Sequence, residues 1–258
     1  RSDSKLAVYE LPTEQGLFLN VNPDAPGLGT PAARRALLDA IDPAAVVATA
    51  YPDGAASVYS GVYPPHQLPA GLAPQKTHYD PSLLSSMASH FAGDTITIAY
   101  GTGLPNEQEA ADVMQSELAS AGVHAVVVTL TGAQFFASVG KVTHYPSVDI
   151  SDPWPDASNP YTWAHIAYDP TGGLSYFQCP DPAASTTLAR ALAIPNLEAA
   201  IPEYVAAGED YASSYCFDWL DSRNDVIVAQ RGIAGIPAAH SVMAPRTLLF
   251  ADLHPIGD

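Results

Sequence analysis

The stretch Asp94-Thr95-Ile96-Thr97-Ile98-Ala99-Tyr100, with Gly101-Thr102-Gly103 and the run from Pro105-Asn106 to Leu130 behind it, decides how this chain reads. Ile96, Ile98 and Tyr100 fall on one face, the period of a strand. The glycines make a turn. Asn106, with Glu109 three residues on, forms a capping box that opens a helix. Ala110, Ala111, Met114, Leu118 and Ala121 share one side of that helix, while Gln108, Glu109, Asp112, Gln115 and Ser116 take the other. Gly122 supplies the left-handed stop. His124 to Leu130 (HAVVVTL) is almost wholly apolar, which predicts a parallel strand covered on both faces. Strand, helix and strand in this order make a right-handed crossover, so the fold class is α/β.

Working outward, Lys5–Leu11 and Gly16–Val21 read as two strands. Pro31 opens a helix whose Ala33, Ala36, Leu37, Ala40 and Ile41 form one stripe; Asp42-Pro43 opens a second, to Ala50. Residues 51–80 hold five prolines and no periodicity, yet Tyr51, Tyr59, Tyr63 and Tyr79 predict an ordered, packed segment. Asp80 caps a helix over Pro81–His90. Downstream, Thr131 caps a helix from Gly132 to Val139 that buries Phe135 and Phe136, and Tyr145–Ile150 is a strand. Helices follow at Tyr161–Tyr168, Pro182–Ala193 and Leu197–Tyr211. Short strands are expected at Phe217–Leu220, Asp225–Gln230 and Thr247–Ala251.

Acids outnumber bases 27 to 10, for a net charge of −17. Nucleic acid is thereby excluded as a partner, since binding it needs basic patches. Docking on anionic lipid is disfavoured for the same reason. No apolar run approaches the ~18 residues of a membrane span. The opening RSDSKLAVYE reads as a cut end, with any export signal on a longer parent. Cys179 and Cys216 are the two cysteines, and neither lies in a C-x-x-C pair, so zinc is not indicated. In a cytosolic chain they would be two thiols. In an exported one they would form a disulfide stapling the helical hairpin between them, and this is the favoured alternative.

Ser138-Val139-Gly140-Lys141 fits the S-x-x-K pattern of penicillin-recognising enzymes. That chemistry needs the serine at a helix N-terminus, whereas Ser138 falls at a helix end with no K-T-G partner. There is no G-x-S-x-G, and Gly101-Thr102-Gly103 lacks the lysine of a phosphate loop. The histidines are scattered, with no H-x-x-x-H, so neither metal nor cofactor is expected. Arg34 reads as a structural helix arginine paired with an acid.

The segment Asp152-Pro153-Trp154-Pro155-Asp156-Ala157-Ser158-Asn159-Pro160 is the best candidate site. Its prolines stiffen it; Trp154, Tyr161 and Trp163 offer flat apolar walls; Asp156 supplies a charge suited to an ammonium group. The plainer reading makes Asp156 a cap and the aromatics core.

Three stretches resemble, in the right order, the family 5 extracellular solute-binding proteins, the peptide- and nickel-binding receptors of ABC importers. Ala33-Arg34-Arg35-Ala36-Leu37-Leu38-Asp39-Ala40-Ile41-Asp42, after Leu17-Phe18-Leu19-Asn20, is similar to the family's V-R-x-A-L-x-x-A-I-D helix and the strand before it. Ala110 to Val126 is similar to A-x-x-I-Q-x-x-L-x-x-x-G-I-x-V. Val148 to Pro160 resembles the W-x-x-D-x-x-x-P segment, with Asp156 and Pro160 in the D-x-x-x-P positions. The resemblance covers roughly residues 5 to 255. It implies that 1–258 is a single α/β lobe, a mixed sheet with flanking helices, forming the C-terminal half of a type II periplasmic-binding-protein-like clamshell. It further implies a non-enzymatic protein that captures oligopeptides or a similar polar solute between two lobes and passes it to an ABC permease. The expected location is extracellular, as a cell-surface lipoprotein anchored through a missing N-terminus, or periplasmic in a Gram-negative cell. The rival readings are a secreted hydrolase domain using Ser138 and Lys141, and a cell-surface adhesion module.

Overall fold

The computed structural model describes residues 5–74, 77–138, 145–153, 155, 157–169, 171–173, 177, 179–242 and 247–256. In chain order its elements are β1 (Leu6–Pro12), β2 (Phe18–Val21), α1 (Pro31–Asp39), α2 (Pro43–Ala50), β3 (Ala56–Val58), α3 (Pro81–Ser86), β4 (Ile96–Gly101), α4 (Pro105–Ser120), β5 (Ala125–Leu130) and α5 (Gly132–Ser138). Then come β6 (Val148–Ser151), α6 (Pro160–Ala167), α7 (Pro182–Leu192), α8 (Leu197–Ser214), β7 (Phe217–Trp219), β8 (Asp221–Gln230), β9 (Ile233–Ala234), α9 (Ile236–Ala239) and β10 (His254–Pro255).

Helix starts follow one local rule: a short polar side chain accepts a backbone N–H of the first turn, and proline stands at the first helical position. Thr30 caps α1, Asp42 α2, Asp80 α3, Asn159 α6 and Asp181 α7 in this way. The central helix α4 departs from it. Pro105 opens the helix after Leu104, which provides no side-chain cap, so Asn106 lies inside the first turn and the expected capping box with Glu109 does not form. Glu107 instead turns back to accept the Gly101 N–H at 2.8 Å.

The main sheet has the order β5-β4-β6-β2-β7. β4 is parallel to β5 and β6, and β2 is antiparallel to β6 and β7, so the sheet is mixed and flanked by helices. Alternation along β2 divides the interior. Leu19 and Val21 join Ile96, Ile98, Val148 and Ile150 under α1, α2 and α4. Phe18 joins Phe217, Trp219, Trp163, Tyr168 and Tyr211 on the other face, under α6, α7 and α8. Cys179 and Cys216 are joined as a disulfide, bracketing the α7–α8 hairpin.

A three-stranded sheet, β1-β8-β3, adjoins the main one. The start of β8 pairs with β3, and the rest runs out with β1 as a two-stranded ribbon from Pro12↔Asn224 to Leu6↔Gln230. One face of this ribbon exposes Leu6, Val8, Val226 and Val228.

Three further expectations are corrected. β5 is parallel to β4 as expected, but its middle residues are only half-buried where cover on both faces was expected, and it is the end strand of the sheet. Phe136 is 64% exposed; in a helix it points about 100° away from Phe135, which alone packs on the second core. Thr247–Ala251 is not a strand: Leu248 makes a single bridge to His240, and Phe250–Asp252 is a 3-10 turn.

Candidate functional site

The sheet order locates the site. From β4 the chain passes through α4 to β5 on one side, and β5 returns through α5 to β6 on the other side of β4. The carboxyl ends of β4 and β6 therefore flank a point where strand order reverses, the crevice in which open α/β sheets hold ligands. Two loops rise there, residues 102–104 after β4 and residues 152–159 after β6.

The second loop is fixed at both ends. At its start the Asp152 carboxylate receives two hydrogen bonds from the Arg223 guanidinium, at 2.6 and 2.8 Å. Its carbonyl accepts Gln15 Nε2 at 3.2 Å, and its N–H is bonded by the Glu107 carboxylate. Glu107 thus holds Gly101 and Asp152, one residue from each strand end. Arg223 lies 5.7 Å from the Tyr51 ring centroid and donates to its hydroxyl at 3.3 Å. The fit is close: a Cβ on Gly16 would stand 2.2 Å from the Asp221 carbonyl oxygen.

At the far end Gln67 Nε2 donates to the Ala157 carbonyl at 3.2 Å and to the buried Glu14 at 2.9 Å, and Ser158 donates to the other Glu14 oxygen. Asn159 caps α6, accepting the Tyr161 N–H at 2.8 Å and the Tyr204 hydroxyl at 3.2 Å. Pro155 and Pro160 are buried.

Burial sets the electrostatics. It pushes the Glu107 and Asp221 carboxyls up to about 7, and Asp149, on β6 behind the loop, well above the usual carboxylate range. Asp149 is opposite Asn20 in the β2–β6 pair. Among the described residues, one Asp149 oxygen, both Asn20 amide atoms and the Ser151 hydroxyl have no hydrogen-bond partner.

Of the residues singled out in the sequence, Trp154, Asp156 and Lys141 lie outside the described residues. Tyr161 is half-buried beside the loop and stacks on His165, with centroids 5.2 Å apart and planes at 15°. Trp163 is in the second core, 3% exposed, its N–H bonded to the Tyr168 hydroxyl at 2.9 Å and its ring edge-on to Phe18. Ser138 is the last residue of α5, not the first. Arg34 donates to the carbonyls of Leu28 and Ser214 at 2.9 Å each, where an acid was expected. Glu107, Arg223, Gln15 and Glu14 were missed. Their only mark in the sequence is Arg223 standing alone between Asp221 and Asp225.

A family model described as bacterial extracellular solute-binding proteins, family 5 middle, matches residues 1–173. No curated protein matches. Among solved structures, a putative peptide binding protein AppA from Clostridium difficile superposes with a TM-score of 0.82 at 16% identity, over 98% of this chain and 53% of that one. HbpA2 from Haemophilus parasuis gives 0.81 at 18% identity, over 98% and 50%. A dipeptide binding protein from Pseudoalteromonas sp. SM9913, in complex with Met-Leu, gives 0.75 at 17%, over 98% and 51%. The chain thus spans about half the length of the structures it matches, and at these identities the likeness is one of fold.

Proposed function

This chain belongs to the family 5 bacterial extracellular solute-binding proteins, and from that premise we propose that it is one lobe of a two-lobed receptor that captures an oligopeptide or similar polar solute for an ABC importer. The carrying observation is the 152–159 loop, fixed at both ends beside the strand-order reversal. A loop set before the ligand arrives loses little entropy on binding. Asp156 would meet the ligand's ammonium, with Trp154 and Tyr161 as flat walls. Trp163 supports them from the core by fixing α6. The second lobe would close over the ligand by hinge motion and present the closed form to the permease. Two of the superposed structures are described as binding a peptide or a dipeptide, which agrees with this substrate class.

The disulfide fits an oxidising compartment outside the cytoplasm. There the protein would be held by a lipid anchor on the cell surface, or lie in a periplasm. Native mass spectrometry of the full-length receptor, purified without denaturation, tests the function. A co-purifying peptide released on unfolding is expected. A covalent adduct on Ser138 with an acylating probe would overturn the binding role in favour of a hydrolase.

A further inference from the structure

Asp152 is held at all of its polar groups, and each partner comes from a different part of the chain: Glu107 from α4, Gln15 from the β1–β2 connection, Arg223 from β8. Arg223 differs from the other two in where its strand goes. β8 lies against β3 up to Arg223, opposite Ala56, and from Asn224 onward pairs with β1 as the ribbon. Arg223 therefore stands at the root of the ribbon, and its side chain reaches back to the root of the loop. Its own backbone is fixed there. The N–H donates to the Gln15 carbonyl at 3.1 Å, and the carbonyl accepts the Thr13 N–H at 3.1 Å and its hydroxyl at 2.7 Å.

A bidentate guanidinium–carboxylate pair is directional, because two parallel N–H···O bonds cannot both survive a rotation of one partner. This pair is also largely withdrawn from solvent, with side-chain exposures of 10% and 17%, so water does not readily replace it. A tilt of the ribbon about its root would be passed to Asp152, four residues before Asp156.

We propose that Arg223 is a positioning residue of the site: its paired hydrogen bonds to Asp152 couple the set of the 152–159 loop to the β1–β8 ribbon, so that loop and ribbon move as one. This rests on reading the loop as the ligand-holding element. It adds a specific link by which ligand capture is felt at the β1–β8 ribbon.

Hydrogen exchange of the whole chain, followed by mass spectrometry without ligand, tests the coupling. Arg223→Lys keeps the charge but loses the fork, Asp152→Asn removes the charge, and Val228→Pro loosens the ribbon opposite Val8. Arg223→Lys and Asp152→Asn are each expected to speed exchange across 151–159 by about tenfold or more, the scale of a lost buried charged hydrogen bond. Residues 96–101 of β4 should keep their protection. Val228→Pro should also speed exchange in the loop, and combined with Arg223→Lys it should add nothing further there. Unchanged loop exchange in Arg223→Lys, or effects that multiply in the double variant, would overturn the proposal. If Arg223→Lys loses protection in β4 as well, the same comparison made with Asp152→Asn decides. Since no ligand is used, loop exchange that responds as expected in a receptor that binds no peptide would remove the ligand reading and leave the coupling standing.

Discussion

Asn20 and Asp149 are opposite one another on adjacent strands of the main sheet, both buried, with no hydrogen bond between them. Polar atoms so placed destabilise the native state unless they are satisfied, and a buried carboxylate does so most when charged. Burial therefore holds Asp149 in its protonated form well above the range where a carboxyl of the unfolded chain ionises.

Asp149→Asn keeps the shape and removes the ionisation. At pH 7 the variant should melt above the parent, by about 2–4 °C for each kcal/mol recovered. Near pH 3, below the range where even the unfolded carboxyl titrates, the two should approach one another. Thermal melts across this range check it, and a variant less stable at pH 7 would give Asp149 a charged role.

A wider pH dependence follows from the same sign. Burial pushes Glu107 and Asp221 up to about 7 and Asp218 up to about 6, whereas unfolded carboxyls titrate near 4. Between those values the native state binds more protons than the unfolded one, so stability rises as pH falls. Denaturant midpoints should increase from pH 7.5 to about pH 5, the reverse of the usual acid-labile profile. A midpoint that falls steadily over that interval would show that these carboxyls are ionised in the folded protein.

Asp218 is also a brace. Its carboxylate accepts the Gly61 N–H and the hydroxyls of Ser60 and Thr77, tying residues 60, 61 and 77 to β7. Asp218→Ala leaves the buried Gly61 N–H without its acceptor and the Ser60 and Thr77 hydroxyls with only their bond to each other at 3.0 Å, and should cost about 1–3 kcal/mol in urea unfolding. Asp218→Asn should cost less, and a loss under about 0.5 kcal/mol in Asp218→Ala would make the contact incidental.

The two aromatics of α6 should separate site from core. Trp163→Ala empties a packed ring site and should lose about 3–5 kcal/mol of stability. Tyr161→Ala, half-buried beside the loop, should lose far less stability and instead weaken peptide binding. Equal stability losses would place Tyr161 in the core as well.

Local pattern made much of this architecture legible. The alternation in Ile96–Tyr100, the polar-proline junctions at Thr30-Pro31, Asp42-Pro43 and Asp80-Pro81, and the crossover between β4 and β5 are all written in short-range order. What depends on distant neighbours was not. The valines of β5 could not announce an edge strand. In α6 the helical period separates Trp163, Ala164 and Ala167, buried in the second core, from Tyr161 and His165, half-buried at its margin; reading all the aromatics as one wall missed it. In the site, the prolines and aromatics of 152–163 were conspicuous. Arg223 was not, because its partner Asp152 is 71 residues away and nothing local announces the pair.

The central claim is that the 152–159 loop receives a ligand's ammonium at Asp156. The most direct measurement is calorimetric titration of the full-length receptor and its Asp156→Asn variant, using one peptide with a free amine and the same peptide acetylated. The variant should lose about 2–5 kcal/mol of binding for the free amine, the range for breaking a buried charged pair, and much less for the acetylated form. Equal losses for both peptides, or no loss for either, would contradict the account.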